Sequence, residues 1–516
     1  MMKSLLRAAL FTTLAASFAH AQEPVRGGSL IVRLNSDIRS LEPGINRDAQ
    51  TDTVAHQIFE GLVAFQADLT VGPALAESWT ISEDGKTYTF KLRSGVTFHN
   101  GAPLTSAEVK WSWDRQFTQA AWTCKRLFDD NQGLKVEALE TPAPDTVVYK
   151  LARPNALFLK QLANIQCGIL VSHPRSVEAE GKWNPIGTGP LKLKEWKRGE
   201  AITLERFANY SASKAPPSGY AGARIMNFDQ VVFRVVPDAS AAEAALQTGA
   251  VDILPDIESD RVEELKKRKV AISTKPGLGF AAILIQTKDP LLSNQKLRLA
   301  LAHAIDREQI AEVRSSGLTK ANPSGVSDSS SYYDESFMAW PDYDPKKAQA
   351  LAKEAGYAGQ TLKIQTNKRY TSMYDNAVLT QAMLTQAGFK VELEVLDWAT
   401  QLDNYLKGNF QLQSFGYSAR FDPTQMYAAL IAEKDKNPWA QWDDPQAITI
   451  LADSGTVLDD ARRKEDFRKL HAMMREQIPI VGLYYDPVIE AAHPRVKNYA
   501  SWAPGKTITW GAWKEK

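Results

Sequence analysis

A chain of 516 residues, 44% of them hydrophobic, exceeds the size at which a single core keeps growing, so two or more lobes are expected, and nothing in the composition suggests disorder. Its 61 basic and 60 acidic residues give a formal charge of +1, which becomes about −1 once Lys3 and Arg7 leave with the leader; nucleic acid is thereby excluded as the partner. Residues 1–21 read as a secretory signal. Lys3 and Arg7 form its positive region, 8–19 its apolar region, and Ala19-His20-Ala21 a small-residue cleavage site before Gln22. The apolar run of about twelve residues is too short to span a bilayer, and no later run reaches about twenty, so the mature chain is expected to be soluble. No cysteine stands at the cut site, where a lipid-anchored protein needs one, so a free periplasmic protein with no membrane anchor is expected.

Ser29–Leu34 reads as a first strand, and Val54, Ile58 and Leu62 share one face of the helix that follows. The most informative stretch is 72–113. Trp79 and Ile81 alternate with polar residues up to the hairpin dipeptide Asp84-Gly85, and Tyr88, Phe90 and Leu92 alternate on the return strand. Thr105 with Glu108 three residues on is a capping box, and its helix carries Val109, Ser112, Trp113 and Gln116 along one side. Strand-like runs alternate with Pro and Asn over 147–171, and Trp196, the Gly199-Glu200 turn and Ile202-Thr203-Leu204 give a second hairpin. Residues 241–253 hold a short helix, a glycine stop and a buried strand, as in an α/β lobe. After Pro276 a near-continuous apolar strand leads to an amphipathic helix over 297–310, and the polar stretch 324–331 reads as an exposed loop. Pro345 opens another helix, 361–366 and 391–396 are strands flanking a helix, and 480–489 is extended and aromatic.

PALAESW, DGKTYTFKLR and FHNGAPLTSAEV, in that order within 72–113, closely resemble the signature of extracellular solute-binding protein family 5, the periplasmic peptide/nickel/opine class (cluster C) that serves ABC importers. PIGTGPLKL (185–193), LRLALAHAIDREQI (297–310) and LAKEAG (351–356) extend the resemblance along the chain. It implies an α/β, two-lobed periplasmic-binding-protein fold of type II with an extra subdomain in the first lobe. The division expected is a signal over 1–21, a first lobe over 22–273 with an inserted subdomain at about 56–182, a second lobe over 274–488, and a return to the first lobe over 489–516. Hinge crossings then fall near 273 and 488. The resemblance also implies a monomer without catalysis or cofactor and two partners: a small-molecule or peptide-like ligand enclosed between the lobes, and an inner-membrane ABC permease.

Within 415–423, FGYSARFDP, the resemblance fails at an informative place. Peptide-binding relatives carry an aspartate three residues before the Asp of this turn, where it pairs with the peptide's α-ammonium; this chain has Ala419. The next residue is Arg420, whose planar guanidinium can hold a carboxylate or phosphate through two parallel hydrogen bonds, so an acidic ligand is expected. The other reading pairs Arg420 with Asp422 or another protein acid. Trp398 stands where relatives place a pocket aromatic, and Tyr417 precedes Arg420 by three residues. Both are candidates to wall the ligand, as are Phe280 and Trp122, with core packing the alternative for any of 13 tryptophans. Tyr484 and Tyr485 read as strand packing, and Asp422-Pro423 as a turn.

Cys124 and Cys167 are the only cysteines and, in an oxidising compartment, are expected to form a disulfide; the alternative is two buried thiols. The seven histidines show no HxxxH or HExxH spacing, so sequence-local ligands support no metal site; resemblance to nickel-binding relatives, which can hold a chelate with little direct ligation, keeps a nickel chelate as an alternative. GxSxG, a P-loop and paired zinc cysteines are absent from the sequence. The expected function is capture of a small acidic or polar solute, an opine, a modified amino acid or a short peptide-like molecule. The alternatives are a general di- or oligopeptide binder, a periplasmic chaperone or sensory binding protein, and a secreted hydrolase.

Overall fold

Two long strands, Ala271–Ile285 and Ile480–Ala492, pair antiparallel and carry the chain between two hydrophobic cores. The computed structural model describes residues 23–515 apart from 46–47, 121 and 131–132, so the signal read at 1–21 lies outside the described residues. The paired strands sit centrally in a ten-stranded mixed sheet. On one side lie Leu412–Tyr417, Thr361–Asn367 and Lys390–Leu396, mutually parallel; on the other lie Ile253–Leu254, Ser29–Leu34, Gln230–Val235, Ala201–Arg206 and Leu191–Lys197. The first core gathers residues from Leu30 to Ile253 together with Val496, Trp502, Trp510 and Ala512, and the second gathers residues from Phe280 to Tyr485. The fold is thus the two-lobed α/β arrangement expected.

Between the lobes the ladder breaks. Pro276 pairs with Pro487 and Phe280 with Tyr485, so residues 277–279 face Asp486 alone. A Cβ at Gly277 would stand 2.4 Å from the Asp486 carbonyl oxygen, so only glycine fits this crossing.

The first lobe carries a separate four-stranded antiparallel sheet, in the order Ala76–Ile81, Thr87–Leu92, Thr146–Leu151, Val136–Ala143. Its hairpin pairs as read from the sequence, with Trp79 opposite Phe90, Ile81 opposite Tyr88, and Gly85 left-handed at φ 70°; the return strand buries Tyr88, Phe90 and Leu92, whereas Ile81 is exposed. Both halves of the Thr105–Glu108 capping box form at the start of Ser106–Thr118, which buries Val109, Ser112, Trp113 and Gln116. Cys124 and Cys167 are joined in a disulfide.

Three local expectations are corrected. The helix carrying Val54 and Ile58 is Ala49–Ile58 and excludes Leu62, because Phe59 turns extended and Gly61 passes against the Ile169 carbonyl. The single helix expected over 297–310 is two, Gln295–Ala304 and Arg307–Ser315; Ile305 is extended and the Asp306 carboxylate accepts the Gln309 amide, starting a new helix. The stretch 324–331 is largely buried, Ser324 completely. Its hydroxyls find acceptors at the lobe crossing, Ser327 donating to the Gly277 carbonyl at 2.8 Å and Ser329 to that of Pro276 at 2.6 Å.

Glu490, opposite Ser273 in the ladder, is 1% exposed and accepts a 2.7 Å hydrogen bond from Tyr499. Burial pushes its pKa from 4.5 up to about 7. An acid whose folded pKa lies above its unfolded one holds its proton more tightly in the native state, so its contribution to stability falls as pH rises from 4.5 to about 7. Melting curves of Glu490→Gln should therefore gain on the parent between pH 5 and pH 8; a difference independent of pH would remove Glu490 from the account. The disulfide closes a loop with a sequence separation of 43. Replacing both cysteines by serine should cost about 4 kcal/mol in urea unfolding.

Candidate functional site

The three mutually parallel strands of the second lobe end at one edge of the sheet, and each hands the chain to a polar loop: Lys368-Arg369-Tyr370, Asp397-Trp398 and Ser418-Ala419-Arg420. Ligands of α/β sheets sit outside the carboxyl ends of parallel strands, where helix starts and loops supply the contacts. Helices Thr371–Gln386 and Trp398–Lys407 begin at two of these loops, the second capped by Asp397, which accepts the Thr400 amide at 3.0 Å. An aromatic row links the loops. Tyr370 meets Trp398 edge-on at 5.0 Å between centroids, Trp398 lies 5.8 Å from Phe415, and Phe415 lies 5.0 Å from Tyr417.

Arg420 is half-buried, and its Nη1 donates only to the carbonyls of Ser418 (3.2 Å) and Ala419 (3.3 Å). Among the described residues it forms no ion pair, and burial lowers its pKa. The pairing with Asp422 weighed from the sequence is absent, because that carboxylate is held elsewhere. Lys368 and Arg369 are exposed and lie over the rings of Tyr374 (5.2 Å) and Tyr370 (5.6 Å). The sheet edge therefore presents Lys368, Arg369 and Arg420 with Asp397 engaged in capping. Sequence reading missed Lys368, Arg369 and Tyr370; the available signal was a basic, aromatic run directly after a parallel strand.

The structure brings Trp398, Tyr417 and Arg420 into this neighbourhood. Trp398 is half-buried, and Tyr417 lies behind it with its hydroxyl donating to Gln441 Oε1 at 3.1 Å. Phe280 and Trp122, the other two ligand-wall candidates, are buried against aromatic side chains that are not part of this row. Phe280 is fully buried beside Tyr485, with ring centroids 5.0 Å apart, and Trp122 is 1% exposed against Phe117, two residues from the disulfide. Tyr484 and Tyr485 are buried in the strand, donating to Asn376 and to the Ser324 carbonyl. Between the lobes a narrow cavity bounded by Leu69, Leu278, Ser327, Arg420 and Phe421 has room for about one water.

Asp422 does more than form a turn. It caps Pro423–Ala428 by accepting the Thr424 amide at 2.9 Å, and it accepts from Arg463 Nη2 at 2.7 Å within the second lobe. It also accepts from Lys160 Nζ at 2.5 Å, and Lys160 belongs to helix Phe158–Leu162 of the first lobe. Burial alone would raise this carboxyl, but the two cations together hold it well below the usual carboxylate range. Lys160 also lies 4.6 Å from the Tyr332 ring centroid, and Phe65 of the first lobe stacks on Phe421 at 4.9 Å. Removing Asp422 (Asp422→Ala) strands two cations and should cost about 3–5 kcal/mol of stability. Lys160→Met leaves Arg463 in place, so it should cost less and instead favour opening. Small-angle scattering of the unliganded variant should give a larger radius of gyration; an unchanged value would deny Lys160 a part in closure.

The profile of the bacterial extracellular solute-binding proteins, family 5 Middle, matches residues 70–439. A glutathione-binding protein GsiB of Escherichia coli O1:K1 is 28% identical over 497 residues, covering 93% of this chain and 92% of that protein. HbpA2 of Haemophilus parasuis superposes with a TM-score of 0.85 at 24% identity, over 95% of this chain and 100% of that one. The periplasmic binding protein DppA of Helicobacter pylori, in complex with the peptide STSA, gives 0.71 at 25% identity, over 95% and 99% of the two chains. The chain belongs to family 5 of the bacterial extracellular solute-binding proteins, the substrate-binding components of ABC importers, and is a binding protein and not an enzyme.

Proposed function

We propose that this protein is a free periplasmic carrier that captures a small acidic or polar solute between its lobes, as a monomer, and delivers it to an inner-membrane ABC permease. The solute class is an opine, a modified amino acid or a short acidic peptide-like molecule. The observation that carries the reading is Arg420, a half-buried guanidinium at the edge of the interlobe cavity with no protein carboxylate paired to it. Lys368 and Arg369 stand at the same sheet edge, and Trp398 supplies a flat apolar wall. The name of GsiB, glutathione-binding protein, lends support, since glutathione is a short acidic peptide.

A general peptide binder is the second reading, favoured by the peptide held by DppA. It requires an acid for the peptide's α-ammonium. The two acids next to the candidate loops are engaged, Asp397 with its helix start and Asp422 with Lys160 and Arg463. The acidic reading therefore stands ahead.

A thermal-shift screen of acidic metabolites against neutral peptides separates the two. A ligand at about 1,000 times its dissociation constant should add about 4 kcal/mol of stability. Arg420→Ala should then lose about 2–5 kcal/mol of binding in calorimetry, a weakening of roughly 30-fold or more. Stabilisation by neutral peptides alone, or full affinity in Arg420→Ala, would sink the acidic-solute reading.

A further inference from the structure

The far edge of the second lobe holds two adjoining cavities that share Lys434 and Lys288 in their walls. Their volumes are about 460 and 240 Å³, which together lie within the range of small-molecule sites. Gln286 follows the Ala271–Ile285 strand, and Asn409 and Phe410 precede Leu412–Tyr417. Because Ile285 pairs with Leu412 while Phe280 pairs with Tyr417, these residues lie at the end of the sheet opposite Arg420. The cavities are therefore remote from the interlobe cleft.

Lys434 is 4% exposed. Its ammonium carries three donors, and the structure accounts for two: Nζ donates to Gln286 Oε1 and, at 2.8 Å, to Thr287 Oγ1. Both acceptors are neutral, and among the described residues no carboxylate lies within ion-pair distance of this ammonium. Two further cations face it, Lys288 and the buried Arg298, whose guanidinium is satisfied by the carbonyls of Leu292, Ser293, Gln477 and Ile478. Burial, more than these cations, lowers the Lys434 pKa from 10.5 to about 8, leaving it charged at neutral pH.

The nearby acids are engaged or turned outward. Asp289 accepts the amides of Leu291 and Leu292 and a bond from Gln411. Asp443 accepts the Lys434 backbone amide and lies 4.0 Å from Lys288, while Asp435 pairs with Lys288 from a side chain 90% exposed. A buried cation with an unfilled donor facing a cavity is costly in an apolar surrounding, and an anionic oxygen relieves it.

We propose that these cavities form a second anion site, separate from the solute cleft, in which a small oxyanion, phosphate or a carboxylate group, accepts from Lys434 with Lys288 at the rim. Calorimetric titration at ionic strength fixed with sodium chloride tests it, with inorganic phosphate and succinate as separate arms. Phosphate binding alone assigns the inorganic anion, succinate binding alone assigns a carboxylate, and binding of neither overturns the proposal. With the cleft's own anchor removed by Arg420→Ala, the effective anion should still bind, about tenfold or more weakly when Lys434→Met is added and more weakly when Lys288→Gln is added. Equal affinity with and without Lys434→Met in that background overturns the site, and loss of binding in Arg420→Ala alone moves the anion to the cleft and does the same. Should Lys434→Met fail to fold, Lys288→Gln decides from an exposed position: unchanged affinity there also overturns it.

Discussion

The hydrogen-bonded ladder between Ala271–Ile285 and Ile480–Ala492 is the constraint on which the molecule depends. Its longest break lies between the lobes, where residues 277–279 face Asp486 and prolines sit at both Pro276 and Pro487; a single-residue bulge at Leu483 follows inside the second lobe. Proline has no amide to give a ladder and glycine no side chain to resist bending, so the ladder is weakest where it crosses between the lobes. The serine loop holds the backbone of that point through Ser327 and Ser329.

Electrostatics divides the cleft into satisfied and unsatisfied charge. The Asp422 carboxylate is shared by Lys160 of the first lobe and Arg463 of the second, a group that spans the lobes with one positive charge in excess, whereas Arg420, two residues from Asp422, has only backbone carbonyls. In the proposed reading the first group favours closure whatever the solute, and the second only when an anion is present. A solute shifts the open and closed populations by no more than its differential affinity for the two. An interlobe ion pair that is too strong would close the protein empty, and one that is too weak would draw on binding energy to close it. The shared carboxylate of Asp422, held by Arg463 whether or not Lys160 is near, is suited to an intermediate strength.

What the sequence disclosed and what it hid follow a common physical line. The hairpin from Ala76 to Leu92 and the Thr105–Glu108 capping box were legible because every determinant lies within a few residues of its partner. The break between Gln295–Ala304 and Arg307–Ser315 was missed although local, because the apolar period runs through Ile305 and only the Asp306 cap interrupts it. Burial of Ser324 and Ser327 was hidden because small hydroxyls count as surface residues until acceptors such as the Gly277 carbonyl, 50 residues away, are brought to them. The pairing of Asp422 with Lys160, separated by 262 residues, has no local trace. Arg420 was visible as a residue, but its lack of a protein acid is a property of the assembled fold. Phe280 and Trp122 were candidates by residue type, and their burial beside Tyr485 and Phe117 is likewise a property of the assembled fold.

The first core is finished by the end of the chain. Val496, Trp502, Trp510 and Ala512 pack within it, Asn227 donates to the carbonyls of Gly511 and Ala512, and Thr509 donates to Gln57. The second core draws on residues between Phe280 and Tyr485 alone. A chain emerging from its N-terminus would thus expose the first lobe earliest and complete it last, with the second lobe able to consolidate in between. Unfinished apolar surface on the leading lobe persists until the final twenty or so residues arrive, so a C-terminal truncation would undo the lobe that was made first.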